Sequence, residues 1–210
     1  MAGKKKSEMT EAELDERHAD KMRKKKAARD KIIATKTIEK GLIIVHTGKG
    51  KGKSTAAFGL VCRALGHGFK VGIVQFVKGK WETGERAVIE RFPDLVSFQT
   101  MGQGFTWETQ DRQRDIEAAA AAWEKAKEMI NNPDLKMVLL DELNIVLRYD
   151  YLDINDVVET LKNKPEDKHV IITGRNAKDE LIDIADLVTE MTMIKHPFRS
   201  GVKAQAGVEF

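Results

Sequence analysis

From Gly41 onward the chain alternates short apolar runs with longer amphipathic stretches, the pattern of a parallel sheet whose strands are joined by crossover helices. The runs Leu42 to His46, Val71 to Phe76, Leu95 to Thr100, Met137 to Leu140, His169 to Thr173 and Leu187 to Met191 read as strands. Ser54 to Leu65, Glu85 to Phe92, Gln110 to Ile130, Ile154 to Lys162 and Lys178 to Ile184 read as helices. Proline cannot continue a helix, so Asn132-Pro133-Asp134 closes the longest of them. The run Ala118 to Ala122 favours helix by propensity and is expected to pack closely on the sheet. The fold class expected is α/β: a doubly wound, mostly parallel sheet of about six strands.

Before Gly41 this pattern is lost. Residues 7–36 are rich in Glu, Lys, Arg and Ala, hold no Gly or Pro, and carry only scattered large apolar side chains, Leu14, Met22, Ile32 and Ile33 among them. A helix that is polar all round gains little by burial. Three readings stand: a solvated, partly disordered arm, a nucleic-acid arm, or a segment that folds over a ligand or a neighbouring subunit. Residues 1–40 are therefore expected to form a charged arm and residues 41–210 the domain.

Charge follows the same division. The arm holds 13 Lys and Arg against 8 Asp and Glu, leaving 23 against 25 in the body, so the formal +3 of the whole chain comes from the arm. Eight acids and the absence of interleaved aromatics argue against nucleic acid as partner. Hydrophobic residues at 41% and charged residues at 33% exclude a fibrous or wholly disordered chain. Cys62 is the only cysteine, which excludes an internal disulfide. No apolar run approaches a membrane span, and the basic Met1 to Lys6 leads into acidic helix formers, not an apolar stretch. A cytoplasmic protein without a membrane partner is expected.

The first strand runs into Thr47-Gly48-Lys49-Gly50-Lys51-Gly52-Lys53-Ser54-Thr55 and then an apolar helix. Glycines let successive backbone N–H groups curl toward one anion, the helix N-terminus adds its positive end, and Lys53 supplies a point charge. Ser54 would place its hydroxyl on Mg²⁺. One position departs from the P-loop pattern: the usual first glycine, six residues before the lysine, is here Thr47, and glycines alternate instead at 48, 50 and 52. A second element supports nucleotide binding. Met137-Val138-Leu139-Leu140 ends in Asp141-Glu142, placing two carboxylates at the carboxyl end of a buried strand, on the same sheet edge as the loop. Paired acids there suit Mg²⁺, a hard cation that prefers oxygen ligands. Asp141 is also placed to cap a helix over Leu143 to Leu147. A guanine reader of the Asn-Lys-x-Asp type is missing, since Asn163-Lys164-Pro165-Glu166 fails at the acid, so an adenine nucleotide is expected.

After the third strand comes Gly102-Gln103-Gly104-Phe105-Thr106-Trp107. Phe105 and Trp107 are either buried in the core or offered as an apolar face to a large flat ligand. Together with the phosphate loop, Leu140-Asp141-Glu142-Leu143, Ile171-Ile172-Thr173-Gly174-Arg175, Lys195-His196 and Gly201-Val202-Lys203-Ala204-Gln205, this segment resembles the P-loop-type ATP:corrinoid (cob(I)alamin) adenosyltransferases, across residues 41–210. Asn is common in that family where Lys49 stands and Thr where Ser54 stands, so the hydroxyl is kept.

The resemblance implies a P-loop nucleotide-binding, RecA-like fold and transfer of the 5′-deoxyadenosyl group of ATP to reduced cobalt, leaving triphosphate. ATP and a reduced cob(I)alamin or corrinoid would be the substrates and Mg²⁺ the cofactor. It implies ATP binding by Gly48, Lys49, Gly50, Lys51, Gly52, Lys53, Ser54, Thr55 and Arg63, and metal binding by Ser54, Asp141 and Glu142, with Lys53 and Glu142 in the catalytic roles. Phe105 and Trp107 would fill the lower corrin face and exclude an axial donor, easing reduction to Co(I), while Arg175, Asn176 and His196 would meet the corrinoid or the nucleotide. Arg63 can also be read as a surface ion-pair residue and His196 as a turn residue. The partners implied are an electron-donating flavoprotein or reductase and a second copy of the chain, with part of the arm closing over the corrinoid. A P-loop ATPase or small-molecule kinase, and a nucleotide-regulated binding module, are the competing readings.

Overall fold

The computed structural model describes residues 9–77, 84–100 and 111–209. The chain divides into two compact units, residues 1–39 and 40–210. Among its described residues the first forms the helix α1 (Glu11–Ala34). A reciprocal capping box starts it: the Thr10 amide donates to Glu13 Oε2 at 2.9 Å and the Glu13 amide to Thr10 Oγ1 at 3.3 Å, satisfying two amides that have no intrahelical partner. None of its residues is buried, as the polar pattern of the arm requires.

The second unit is built on six parallel strands: β1 (Ile43–Thr47), β2 (Val71–Gln75), β3 (Val96–Thr100), β4 (Met137–Asp141), β5 (His169–Thr173) and β6 (Leu187–Glu190). They lie in the order β3-β2-β4-β5-β1-β6, so β5 separates the strand that carries the glycine loop from the strand that carries the paired acids. Central strands are buried on both faces and read as continuous apolar runs for that reason.

One face is covered by α2 (Lys53–Gly66), whose Ala57, Phe58, Val61 and Leu65 pack on Ile44, Ile73, Leu139 and Ile171. Each large apolar side chain buried there contributes about 1.5–3 kcal/mol. The short α3 (Gly84–Ile89) adds the buried Ile89 to this layer. The opposite face is covered by α4 (Arg112–Asn131), with α5 (Leu143–Arg148), α6 (Ile154–Lys162) and α7 (Asp179–Ile184) beside it. The alanine run sits where α4 approaches the sheet: Ala119, Ala122 and Ala126 are buried, whereas Ala120 and Ala121 face solvent. Gly72 permits this approach, because a Cβ there would lie 2.9 Å from Leu135 Cδ1 and from Met129 Sδ. Trp123 Nε1 donates to Asp156 Oδ2 at 2.6 Å, tying α4 to α6. Asn132 ends α4, as the following proline demands.

The expected elements are present with ends displaced by at most two residues, except that the helix expected over Glu85 to Phe92 ends three residues early, at Ile89. One expectation is corrected: Asp141 does not cap α5. Strand β4 runs through Asp141, and the cap is Glu142, in the left-handed region at φ 60° with no side-chain capping bond. Among the described residues no helix is long and apolar enough to cross a membrane.

Candidate active site

The glycine loop is shaped by the chain that leaves β6. Met191 N–H donates to Thr47 O at 2.9 Å and Gly50 N–H to Met191 O at 2.6 Å, so the segment after β6 lies directly against the loop. A Cβ on Gly48 would stand 2.5 Å from Met191 O, and one on Gly50 2.6 Å from Thr192 O. Gly48 and Gly52 also hold positive φ, 96° and 103°. The glycines at 48 and 50 are thus a steric consequence of this neighbour, whereas Gly52 is required by its positive φ, a Cβ there meeting only Met191 Sδ at 3.5 Å. Thr47, in place of the usual first glycine, ends β1, and its hydroxyl accepts the Ala177 amide at 3.0 Å, tethering the loop that follows β5.

Lys53 begins α2 and is 7% exposed, and its Nζ donates to Gly50 O at 2.5 Å. Burial lowers its pKa; the nearby Glu142 opposes this, and Arg175 and Lys51 add to it. Lys49 and Lys51 are exposed, and Lys51 pairs with Glu209.

The acids emerge at the carboxyl end of β4 and share a partner on β5. Thr173 Oγ1 donates to Asp141 Oδ1 at 2.7 Å and accepts the Glu142 amide at 2.8 Å. Gln75 Nε2 donates to Asp141 Oδ2 at 3.3 Å, and Ser54 also hydrogen-bonds this carboxylate. Strand register makes this one row across the sheet: Thr100, Gln75, Asp141, Thr173, His46 and Thr189 stand side by side at the last turn of the ladder. Their alternation with the apolar residues beneath α2 puts the row on the α2 face, below the phosphate loop.

Burial pushes the Asp141 carboxyl up, against the hydrogen bonds from Thr173, Ser54 and Gln75. Glu142 is pushed up to about 7 by burial and then by the adjacent Asp141, while Lys53 and Arg175 pull it down. Its Oε2 is buried and has no hydrogen-bond partner. Asp141 thus accepts from three neighbouring side chains, whereas Glu142 keeps an unpartnered oxygen with which it could take a cation. Gly174 gives it room: at φ 125° a Cβ there would lie 3.2 Å from Glu142 Oε2. The loop, Lys53, Ser54, both acids and Arg175 line one cavity of about 670 Å³, within the usual size of a ligand pocket.

The model of the family described as ATP:corrinoid adenosyltransferase BtuR/CobO/CobP matches residues 39–210, and that described as cob(I)alamin adenosyltransferase N terminal matches residues 8–33. The chain belongs to the ATP:corrinoid adenosyltransferase family. It is 65% identical to a corrinoid adenosyltransferase of Sinorhizobium sp, over 93% of this chain and 92% of the relative. It is 54% identical to the corrinoid adenosyltransferase of Pseudomonas aeruginosa, over 94% and 98%, and 48% identical to corrinoid adenosyltransferase CobA of Salmonella typhimurium, over 93% and 99%. Among solved structures it is similar to flagellar accessory protein FlaH from Methanocaldococcus jannaschii, with a TM-score of 0.47 and 12% identity over 74% of this chain and 73% of that one.

Within this adenosyltransferase fold, the residues expected from sequence separate into four groups. Gly50 to Thr55, Asp141, Glu142 and Arg175 line the cavity, with Gly48 and Lys49 on the same loop. Arg63 and His196 are not brought to it. Arg63 is exposed in the last turn of α2, about 15 Å along the helix from Lys53. His196 starts a short 3₁₀ turn, Pro197–Ser200, where its Nδ1 accepts the Phe198 amide at 3.2 Å. Asn176 is exposed at φ 55° beside Arg175. Phe105 and Trp107 lie outside the described residues.

Sequence reasoning assigned no role to Gln75, Thr173, His46 or the Thr47 hydroxyl. The signal available was positional: each is a polar residue at the end of an apolar strand run, on the sheet edge that binds ligands in doubly wound folds. His46 is buried with neither ring nitrogen hydrogen-bonded, and burial lowers its pKa, which keeps the ring neutral.

Proposed function

We propose that this adenosyltransferase binds the triphosphate of ATP on the glycine loop and transfers the 5′-deoxyadenosyl group to the Co(I) of a reduced corrinoid, releasing triphosphate, in cobalamin biosynthesis. The observation that carries the site assignment is the juxtaposition, across β5, of the buried Lys53 with a Glu142 whose inner oxygen has no partner.

The chemistry asks for positioning and charge stabilisation more than for acid or base catalysis. Co(I) is itself the nucleophile toward carbon 5′, so no side chain has to remove a proton; the leaving group is a triphosphate carrying several negative charges. The loop N–H groups and Lys53 neutralise that charge. Arg175, which lines the same cavity, adds a planar donor set suited to phosphate oxygens. Ser54 and Glu142 would hold Mg²⁺: both offer oxygen, Glu142 Oε2 is unpartnered, Asp141 orients Ser54 by a hydrogen bond, and Thr173 holds the Glu142 backbone. When bound, the ion neutralises phosphate oxygens and fixes their geometry. Among the described residues no group of three or more His, Cys, Asp or Glu could hold a metal alone; Mg²⁺ commonly takes one or two carboxylates and fills its shell with phosphate and water.

Phe105 and Trp107 supply apolar bulk without a donor atom at the lower corrin face, and Arg175 and Asn176 meet its polar rim. A reductase delivers the electron that makes Co(I), and two chains form the working unit; both follow from the family resemblance. The deciding assay is anaerobic: protein, MgATP and chemically reduced cobalamin are mixed and the products identified. Adenosylcobalamin with triphosphate is expected, whereas ADP without corrinoid alkylation overturns the reading in favour of a kinase or ATPase.

A further inference from the structure

The outer wall of the phosphate cavity is made by the chain's own C-terminal segment. Gly207, Val208 and Glu209 line it together with Gly50, Lys51 and Lys53. This segment is a formed turn: the amides of Val208 and Glu209 both donate to Gln205 O, at 3.2 and 2.9 Å, and Gly207 reverses the chain at φ 77°. The turn carries the Glu209 carboxylate onto Lys51 Nζ. Glu209 is the more enclosed partner, its side chain 17% exposed against 47% for Lys51.

The charges of the site make this contact unexpected. Lys51, Lys53 and Arg175 converge on the loop, and Asp141 and Glu142 already stand across from it with a metal-binding role. Glu85 lines the cavity as well, and Glu209, from a different part of the chain, is the carboxylate paired with a loop lysine, with no such role. It occupies a lysine that a polyphosphate would use, and any anion bound there meets its charge. A carboxylate and a phosphate oxygen present the same chemistry to an ammonium group, so the two compete for one donor.

We propose that the C-terminal turn is an anionic gate over the phosphate loop: Glu209 and a bound polyphosphate compete for Lys51, the incoming triphosphate displaces the carboxylate, and its return after transfer helps the triphosphate product leave. The gate sets nucleotide affinity and product release without touching the reacting carbon. It rests on the reading of the Gly48 to Ser54 loop as the triphosphate site.

The test is titration calorimetry with inorganic triphosphate and Mg²⁺ at low salt, on the full chain and on E209Q, G207A and K53A. E209Q is expected to bind roughly three- to five-fold more tightly, the size set by loss of one partly exposed ion pair. It should also show a lower KM for ATP and stronger inhibition by triphosphate, and the gain should shrink at high salt as screening weakens the pair. G207A moves the same way through the turn alone, since its Cβ meets nothing within 4 Å and only the positive φ is strained. Unchanged or weaker binding by E209Q overturns the gate. Binding that survives in K53A overturns the phosphate-loop reading itself, whereas loss in K53A with no change in E209Q overturns the gate alone.

Discussion

The hydroxyl of Thr173 donates to Asp141 Oδ1 at 2.7 Å while its oxygen accepts the backbone amide of Glu142 at 2.8 Å. A single side chain from β5 thus holds the orientation of one acid and the backbone of the other. It also supports Glu142 at φ 60°, a conformation that costs a non-glycine residue roughly 1–3 kcal/mol. T173V keeps the shape and removes both bonds. It is expected to destabilise the fold by about 1–3 kcal/mol in denaturant titration, and to lower kcat with a weaker dependence on Mg²⁺. T173S restores both, which a loss of packing alone would not allow.

Glu142 predicts opposite effects on stability and activity. Its carboxyl titrates at about 7 in the folded protein against an ordinary 4.5. A raised carboxyl pKa means the folded state holds a proton that the unfolded state has released, so the ionised form is disfavoured by folding. Wild-type stability relative to E142Q therefore falls as pH rises from 4.5 to about 7 and is level above. At pH 8 E142Q is expected to be more stable by about 2–3 kcal/mol and to have lost adenosyl transfer. Thermal melts at pH 5 and pH 8 check the sign: the variant's advantage must be larger at pH 8.

The glycine loop predicts a rank order. In G48A the new methyl meets the Met191 backbone at 2.5 Å, on top of a φ of 96°. In G52A the φ is as unfavourable at 103°, but the nearest atom is Met191 Sδ at 3.5 Å. ATP affinity, measured by equilibrium binding, should be lost in G48A and reduced by about ten-fold in G52A, each kcal/mol of strain weighing on the bound loop. Equal effects would remove the steric role of the segment after β6.

For the aromatic segment the expected signature is a dependence on cobalt state. W107A should lose most activity when Co(II) and a reductant are supplied, and little when Co(I) is formed beforehand by chemical reduction. Equal loss in both assays would count against exclusion of the lower axial ligand.

Much of this site was legible in one dimension because its motifs are local. Gly48 to Ser54 are contiguous and need only a strand before them and a helix after, and Asp141-Glu142 follow a run of four apolar residues. Thr47 looked like a flaw in the motif when read along the chain. Its hydroxyl bond to Ala177, 130 residues away, gives it a structural purpose. Thr173 and Gln75 carry only the positional signal of a polar residue ending an apolar strand run, because they acquire a role only when β5 and β2 flank β4. Arg63 shows the reverse case: proximity in sequence to the phosphate loop is carried away along a 14-residue helix to its far, exposed end.

By itself the sequence determined the α/β class, the alternation of buried strands and amphipathic helices, the phosphate loop, the paired acids and, through several ordered motifs, the family. These rest on periodicity and on short-range backbone chemistry, which a chain carries wherever it folds. The tertiary structure alone decided which strands are neighbours, and hence the polar row from Thr100 to Thr189, the partnerless oxygen of Glu142 and the contact of Glu209 with Lys51. Burial and pairing across a sheet are properties of residues brought together from distant parts of the chain, and they set the charge state and the reach of the groups that the motifs supply.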